Sequence, residues 1–418
     1  MVSQYRSPNN VKETDPFQSP LERLQIRTNV TALFSQLVGF RKQIKDASSR
    51  QLAICACLAA FCLLAYRWTS GAYPRPTSSI IGEVDWRNTT NQRLTPIKTL
   101  SEDQCDVLFQ PLFAEIDRAA LFWKDRGGIT RENMDDAARM SNAHLVLYDN
   151  QLYLKSFRPG LFSRAEAQVA LINEAISTSP DRLPNMEFAI GVDDWPHQDP
   201  LPIWELCREH HIQHVWLQPD YGFYSWPEPG VGSFQEVMYK AEKHEKNSSG
   251  WSGKQKKLFW KGAMGQNVLR KELADVISDK SWADIQDMNW SENEARDRKT
   301  IDDHCDFKFL GHVEGGSSSG RLNINSNDTS PDQNTVVIPG GNWDRLSGIM
   351  ESLLADDRRA KRIADNSHEF WHYWNSPAAT SCYLRKMFRS WAMLQKFEPV
   401  LSYSDTAYNS FDTDWVIH

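Results

Sequence analysis

The chain has 418 residues, a formal net charge of −7 and 16 Trp, which is enough length for two ordinary domains and enough aromatic bulk for a substantial core. Its acidic balance excludes nucleic-acid binding as the leading function, because gripping a phosphate backbone needs a concentrated positive surface. The local run Lys243, Lys246, Lys254, Lys256 and Lys257 reads as a solvated face ahead of a strand.

Residues 1–50 are polar, with Pro8, Pro16 and Pro20, and are expected to be a disordered cytosolic tail with one helix around 21–40. Segment 51–67 is expected to be a transmembrane signal anchor. Its uncharged part, 51–66, covers about 24 Å at about 1.5 Å per residue, nearest to the thinner membranes of the early secretory pathway. Tyr66 and Trp68 suit one interface, and Arg41, Lys42, Lys45 and Arg50 outnumber the cations that follow, which leaves the N-terminus cytosolic. This describes a single-pass type II protein of the endoplasmic reticulum or Golgi membrane, held to lipid by one helix, with its folded part in the lumen. A cleaved signal peptide fits the long polar leader poorly, and a buried soluble helix is the alternative.

Cys55, Cys57 and Cys62 lie inside the apolar run as small hydrophobes or acylation sites. Cys105, Cys207, Cys305 and Cys382 could form two disulfides, with three pairings open; they are too widely spaced for a zinc site of the CxxC kind. Sequons at Asn88, Asn247, Asn289 and Asn327 suit a lumenal chain.

Residues 68–100, with Pro74, Pro76 and Pro96, read as a stem. The folded part then alternates. Helical spacing over 104–123 and 165–176 is interleaved with buried-strand runs at 188–192 and 214–217. A second set has strands at 257–260, 306–310 and 335–338 and helices starting at Val268, Trp343 and Ala378. Such alternation predicts α/β layers in two domains, 101–250 and 251–418.

Four constellations carry chemistry. Asp193-Asp194-Trp195-Pro196 follows a strand, and ligands of open α/β sheets bind at the carboxyl ends of strands. A carboxylate there can take the proton of a hydroxyl nucleophile, with Trp195 walling off water; the plain alternative is a turn. Lys261 and Gly262, in Phe259-Trp260-Lys261-Gly262-Ala263, offer a positive charge and close backbone approach, and Arg270 follows on the next helix, where pairing with Glu272 or Asp275 is its bland reading. Phe309 to Arg321 runs from an apolar strand into a Gly/Ser loop, with Glu314, Gly315 and Ser317 to Ser319, that ends in a cation. Converging backbone N–H groups, hydroxyls and a guanidinium hold phosphate. The aromatic segment 221–228 serves as a sugar platform or as core. Asp412-Thr413-Asp414 has the form of a metal-binding DxD but sits in an unpatterned tail, and no metal is expected.

The order of segments 185–196, 257–262 with Arg270, 309–321 and 366–391 resembles the glycosyltransferases of family 90, which include fungal capsule-associated xylosyltransferases and animal enzymes that add glucose to EGF repeats. The resemblance implies a GT-B-like fold of two Rossmann-like domains facing a cleft, with 101–250 taking the acceptor and 251–418 the nucleotide sugar. It implies inverting transfer of xylose or glucose from a UDP-sugar to a hydroxyl of a glycan or protein. Asp194 is then the base, and Lys261, Gly262, Arg270, Gly315, Ser319 and Arg321 meet the donor diphosphate, whose charge GT-B enzymes neutralise with protein cations instead of a metal.

Two departures stand out. Many family members carry Arg where this chain has Lys261, so bidentate phosphate contact is lost there. After Arg321 only a polar stretch, 322–329, stands where the family continues with a helix and a strand, and a short loop cannot replace a β-α step. The C-terminal domain then has a damaged donor pocket, or the sequence derives from a gene model that skips coding sequence. The competing reading is a catalytically impaired member acting as a glycan- or protein-binding module. A dehydrogenase-like protein is disfavoured by the lack of GxGxxG after a first strand.

Overall fold

The structure is a computed structural model that describes residues 97–158, 162–226, 231–288, 302–313, 334–338, 342–402 and 404–408. The expected tail, anchor and most of the stem lie outside these residues, as do Glu314 to Arg321 and the segment 322–329. Among the described residues no helix is long and apolar enough to cross a membrane.

The amphipathic run after Ser101 is broken into three pieces: α1 (Glu102–Phe109), a 3-10 turn (Gln110–Phe113) and α2 (Ala114–Lys124). Pro111 explains the break, since it cannot donate the helical hydrogen bond of an α-helix interior. After α3 (Arg131–Met140) come β1 (Ala143–Tyr148) and β2 (Gln151–Phe157). Asp149 and Asn150 join them with φ of 51° and 61°, the left-handed pair that a two-residue hairpin needs and that Asp and Asn tolerate best. Next are α4 (Phe162–Ser177), β3 (Met186–Ile190), β4 (Ile203–Glu205) and β5 (Trp216–Leu217).

The first sheet has the order β5-β4-β3-β1-β2-β9, where β9 is Thr406–Ala407. Strands β3, β4 and β5 are parallel, whereas β1 is antiparallel to both β2 and β3. This lobe is therefore mixed where a Rossmann-like half was expected. The two-residue turn at Asp149-Asn150 permits only antiparallel neighbours, and the expected strands did not include this hairpin.

The chain leaves the first lobe through α5 (Phe234–Asn247) and α6 (Gly250–Gly253). The second sheet, order β7-β6-β8, is built from β6 (Gln255–Gly262), β7 (Ala283–Asp287) and β8 (Phe307–Leu310), all parallel, with α7 (Val268–Ile277) between β6 and β7. Its core is small: Leu258, Trp260, Leu273, Ile277, Val313, Leu346 and Met350. The strand expected at 335–338 does not form: Ile338 packs against the second core, but Val337 is 73 % exposed and the run pairs with no strand among the described residues.

Helices α8 (Leu346–Ala355) and α9 (Asp357–Trp374) follow, and then α10 (Pro377–Leu394) returns to the first lobe. The expected second domain, 251–418, is thus interrupted at its end, because the apolar face of α10 finds its partner in the first sheet. Phe388 and Trp391 pack on Trp204 at 5.7 Å each, Trp204 stacks on Phe188 at 4.2 Å, and Trp216 meets Trp391 at 5.2 Å. Buried Arg385 donates to the carbonyls of Ala175 (2.9 Å), Leu100 (3.0 Å) and Lys98 (2.6 Å) and to Thr178 Oγ1 (2.8 Å), so its charge is fully engaged. A disulfide joins Cys105 on α1 to Cys382 on α10. Two disulfides were open in the sequence; Cys207 and Cys305 do not pair with each other, one lying beside Asp194 in the first lobe and the other just before β8 in the second.

Candidate active site

Asp194 lies in the loop that leaves the carboxyl end of β3, a strand whose five residues are all buried. The loop is anchored at its root. Gly191 N–H donates to Trp204 O (2.7 Å), Val192 N–H to Asn142 Oδ1 (2.8 Å), and Gln218 Nε2 to Gly191 O (2.8 Å). It is anchored again past Pro196: His197 N–H reaches Glu205 Oε1 at 3.1 Å, its Nδ1 bonds the same oxygen, and the ring of His214 donates to His197 O at 3.1 Å. Burial pushes the Glu205 carboxyl up against the hydrogen bonds from His197, and the Glu205 hydrogen bond pushes His197 up against its own burial. Burial pushes His214 down. These contacts hold the loop from both sides, and what they hold is Asp194.

The Asp194 side chain is 44 % exposed, and its Oδ1 accepts a 2.9 Å charged hydrogen bond from Arg164 Nη1 in the first turn of α4. The Arg164 guanidinium lies 5.6 Å from the Tyr221 ring and 5.7 Å from the Trp226 ring, and those rings meet edge-on at 5.6 Å. The aromatic segment therefore supports the arginine that holds the carboxylate, with Tyr221 itself in the core. Trp195 does not wall off water: it is 67 % exposed. Cys207 Sγ touches Asp194 O at 3.4 Å, and burial pushes that thiol up to about 12, which makes it a poor nucleophile.

Arg164 escaped the sequence reading. A signal was present, because a cation in a helix's first turn opposes the macrodipole and needs a carboxylate partner nearby.

At the second sheet, Lys261 and Gly262 close β6, the middle strand. Strands β7 and β8 flank β6 on opposite sides, and the carboxyl ends of such strands are the usual ligand position in parallel sheets. Lys261 is buried. A Cβ on Gly262 would meet Trp260 Cζ2 at 2.8 Å, so glycine makes room for the indole. Arg270 on α7 is buried and pairs with neither Glu272 nor Asp275. It donates to Ala263 O (2.8 Å) and Val313 O (3.4 Å), with its guanidinium 5.5 Å from the Trp260 ring. Arg270 thus ties the end of β6 to the segment leaving β8.

The structure gathers Lys261, Gly262 and Arg270 at one mouth and sets Asp194 on the other lobe. Gly315, Ser319 and Arg321, which would follow directly on Val313, lie outside the described residues, as do Asp412 and Asp414. Among the described residues no three His, Cys, Asp or Glu side chains are grouped to hold a metal ion.

The chain is similar to an O-glucosyltransferase rumi homolog of Aedes aegypti, 23 % identical over 315 residues that cover 65 % of this chain and 76 % of that protein. A rumi homolog of Anopheles gambiae is 20 % identical over 313 residues, 65 % of this chain and 75 % of its own length. Protein O-glucosyltransferase 1 of Bos taurus is 24 % identical over 221 residues, 47 % of this chain and 54 % of that protein. Residues 102–324, more than half of the chain, match the profile of Glycosyl transferase family 90, a span that takes in the Asp194 loop, every strand except β9 and the end of β6 at Lys261, and the chain accordingly belongs to glycosyl transferase family 90.

Proposed function

We propose that this glycosyltransferase moves a sugar, glucose or xylose, from a UDP-sugar to an acceptor hydroxyl with inversion, using Asp194 as the base. The observation that carries this reading is the Asp194 carboxylate, presented at the end of a buried strand with one oxygen held by Arg164. A hydroxyl attacks the anomeric carbon poorly until its proton has somewhere to go. As the new C–O bond forms and the bond to the diphosphate breaks, the hydroxyl proton passes to the carboxylate and the electron pair leaves with UDP. Arg164 acts as a positioning residue that holds the carboxylate in one orientation.

On the donor side, Lys261 contributes charge near the departing diphosphate, and the Gly/Ser loop with Gly315, Ser319 and Arg321 supplies the remaining donors. Arg270 adds positive charge there, and its hydrogen bonds to the carbonyls of Val313 and Ala263 fasten the root of that loop to β6. The likeness to proteins named O-glucosyltransferases favours glucose as the sugar. Residence in the endoplasmic reticulum or Golgi lumen behind the anchor at 51–67 completes the proposal, with the Cys105–Cys382 disulfide in its support, since such bonds persist in oxidising compartments.

The test is donor turnover by the purified lumenal part with UDP-glucose and UDP-xylose, wild type against Asp194→Asn. Release of UDP that survives the substitution undiminished rules Asp194 out as the base. UDP binding without turnover in the wild type would favour the glycan- or protein-binding alternative.

A further inference from the structure

The loop that carries Asp194 has no hydrogen-bond ladder of its own. Residues 191–197 form neither helix nor strand, so the place of Asp194 is set by the points at which the loop is fastened. One is Val192, whose N–H donates to Asn142 Oδ1, and the next is His197. Only Asp193, Asp194, Trp195 and Pro196 lie between them.

His197 is held by its backbone and by its ring. Its N–H reaches Glu205 Oε1 at 3.1 Å and Oε2 at 3.3 Å, its Nδ1 bonds Glu205 Oε1, and its carbonyl accepts from His214 Nε2 at 3.1 Å. The carbonyl of Met140, at the end of α3, faces the same ring as a second acceptor. Two acceptors suit the doubly protonated imidazolium, because a neutral ring has a single N–H to give. Glu205 needs that charge in return. Its side chain is 5 % exposed, and among the described residues its hydrogen bonds come from His197 alone; a carboxylate stays ionised in such a place when a cation pairs with it.

We infer that His197 and Glu205 form a charged clamp on this loop, which makes His197 a positioning residue for the carboxylate three places before it. Arg164 fixes the direction of that carboxylate; the clamp fixes where its backbone stands. This inference rests on the reading of Asp194 as the base.

The surroundings of the clamp decide what pH does to it. The Glu205 hydrogen bond, and after it the charges of Glu205 and Asp193, push His197 up against its own burial. Burial pushes His214 down, with Arg118 of α2 and Asp199 facing it, and Arg118 is itself paired with Glu115. The Cys207 thiol, pushed up to about 12 by burial first and then by Glu205, keeps its proton. A histidine raised by its partner loses its charge as pH climbs through the raised value. The clamp is therefore closed below that point, loosens above it, and limits transfer on the alkaline side.

The experiment begins without substrate, on the full 418-residue chain. NMR spectra of ring-labelled histidine follow His197, identified as the signal missing from His197→Gln. Hydrogen exchange, corrected for intrinsic rates, follows the amides within 192–198 over the same pH series. Their protection is expected to fall by about tenfold as His197 loses its proton, the scale of one charged hydrogen bond. In Glu205→Gln the His197 midpoint is expected at lower pH, with protection lost there too. His197→Gln, at a side chain 20 % exposed, is expected to show low protection at every pH and keeps the test decisive if Glu205→Gln fails to fold. Protection that ignores the titration of His197 overturns the clamp, as does a midpoint that Glu205→Gln leaves in place or wild-type protection in His197→Gln.

Turnover then separates the clamp from the base. The alkaline limb of UDP release from UDP-glucose is expected at the His197 midpoint and moves with it in Glu205→Gln. A limb that stays in place while the loop loosens overturns His197 as a positioning residue. A loop that loosens as expected in a chain that releases no UDP, or whose turnover survives Asp194→Asn, sinks the proposed transfer chemistry and leaves the clamp standing.

Discussion

The two lobes hold their functional groups by different means. In the first, Asp194 hangs from a sheet whose core is a stack of aromatic rings closed by a helix from the far end of the chain, with a buried arginine and a disulfide fastening that helix. In the second, a sheet whose three described strands pack on one apolar cluster presents Lys261 and Gly262, and the Arg270 guanidinium, bonded to two backbone carbonyls, joins the segments that leave β6 and β8. The contrast teaches that, among the described residues, the Asp194 loop is set by the packing beneath it, whereas the end of β6 is tied by side-chain to backbone hydrogen bonds.

Core truncation is the strongest way to break that comparison. Trp391→Ala removes a fully buried indole that touches Trp204 and Trp216 and donates to Glu187 O at 2.9 Å, and it is expected to cost about 3–5 kcal/mol in denaturant melts. Leu273→Ala in the second lobe is expected to cost about 2 kcal/mol, at the low end for such truncations. Equal costs would show that the lobes are equally dependent on packing.

Acid sharpens it next. Glu187 is fully buried in β3, and burial alone would push its carboxyl up; hydrogen bonds from His144 (2.8 Å) and Arg131 (2.6 and 3.0 Å) and the charge of Lys155 outweigh this and hold it at about 2. A carboxylate lowered on folding contributes stability that is present above its unfolded value, near 4.5, and lost as pH falls toward 2. About 3 kcal/mol is expected to go across that window. Glu187→Gln should flatten the acid limb of a stability profile; a limb of undiminished slope would assign it to other groups.

Function gives the third and fourth tests. Asp194→Asn is expected to lower kcat about 100-fold or more, roughly 2.7 kcal/mol, with UDP affinity retained. Arg164→Ala should cost about tenfold in kcat, the scale of one charged hydrogen bond, with partial recovery in Arg164→Lys or on addition of guanidinium. A loss seen wholly in donor KM would place Arg164 on the other lobe's business and undo the division of labour.

The alternation of helices and strands was legible in the residues, and strands at β3, β6 and β8 fell where apolar runs ended in Gly or Asp. The hairpin β1–β2 was not, although Asp149-Asn150 is a turn signal, because Lys155 and Ser156 interrupt the apolar alternation of β2. The return of α10 was hidden for a different reason: periodicity reveals that Phe388 and Trp391 share a face, not which sheet that face will meet. At the site, Asp194 could be read from its place after a strand. Arg164 left only the signal of a cation in a first helical turn; its partner is distant in sequence, and the pair exists only once α4 lies beside the β3 loop. Arg270 was legible as a cation near the mouth, but its carbonyl partners Ala263 and Val313 depend on which strands become neighbours.

The return of α10 also has a consequence for how the chain is made. By the time Leu217 leaves the ribosome, strands β1 to β5 exist, yet Phe188, Trp204 and Trp216 still lack the helix that covers them. About 160 further residues, including the whole second sheet, must be translated before Pro377 appears, a wait of roughly ten to thirty seconds at about 5–20 residues per second. During that interval the second lobe can fold as an insertion while the first remains an open aromatic surface exposed to chaperones and to aggregation. A stop codon after residue 374 therefore does not delete a terminal appendage: it leaves the first lobe without its last wall, and the nascent lobe with no means of closing.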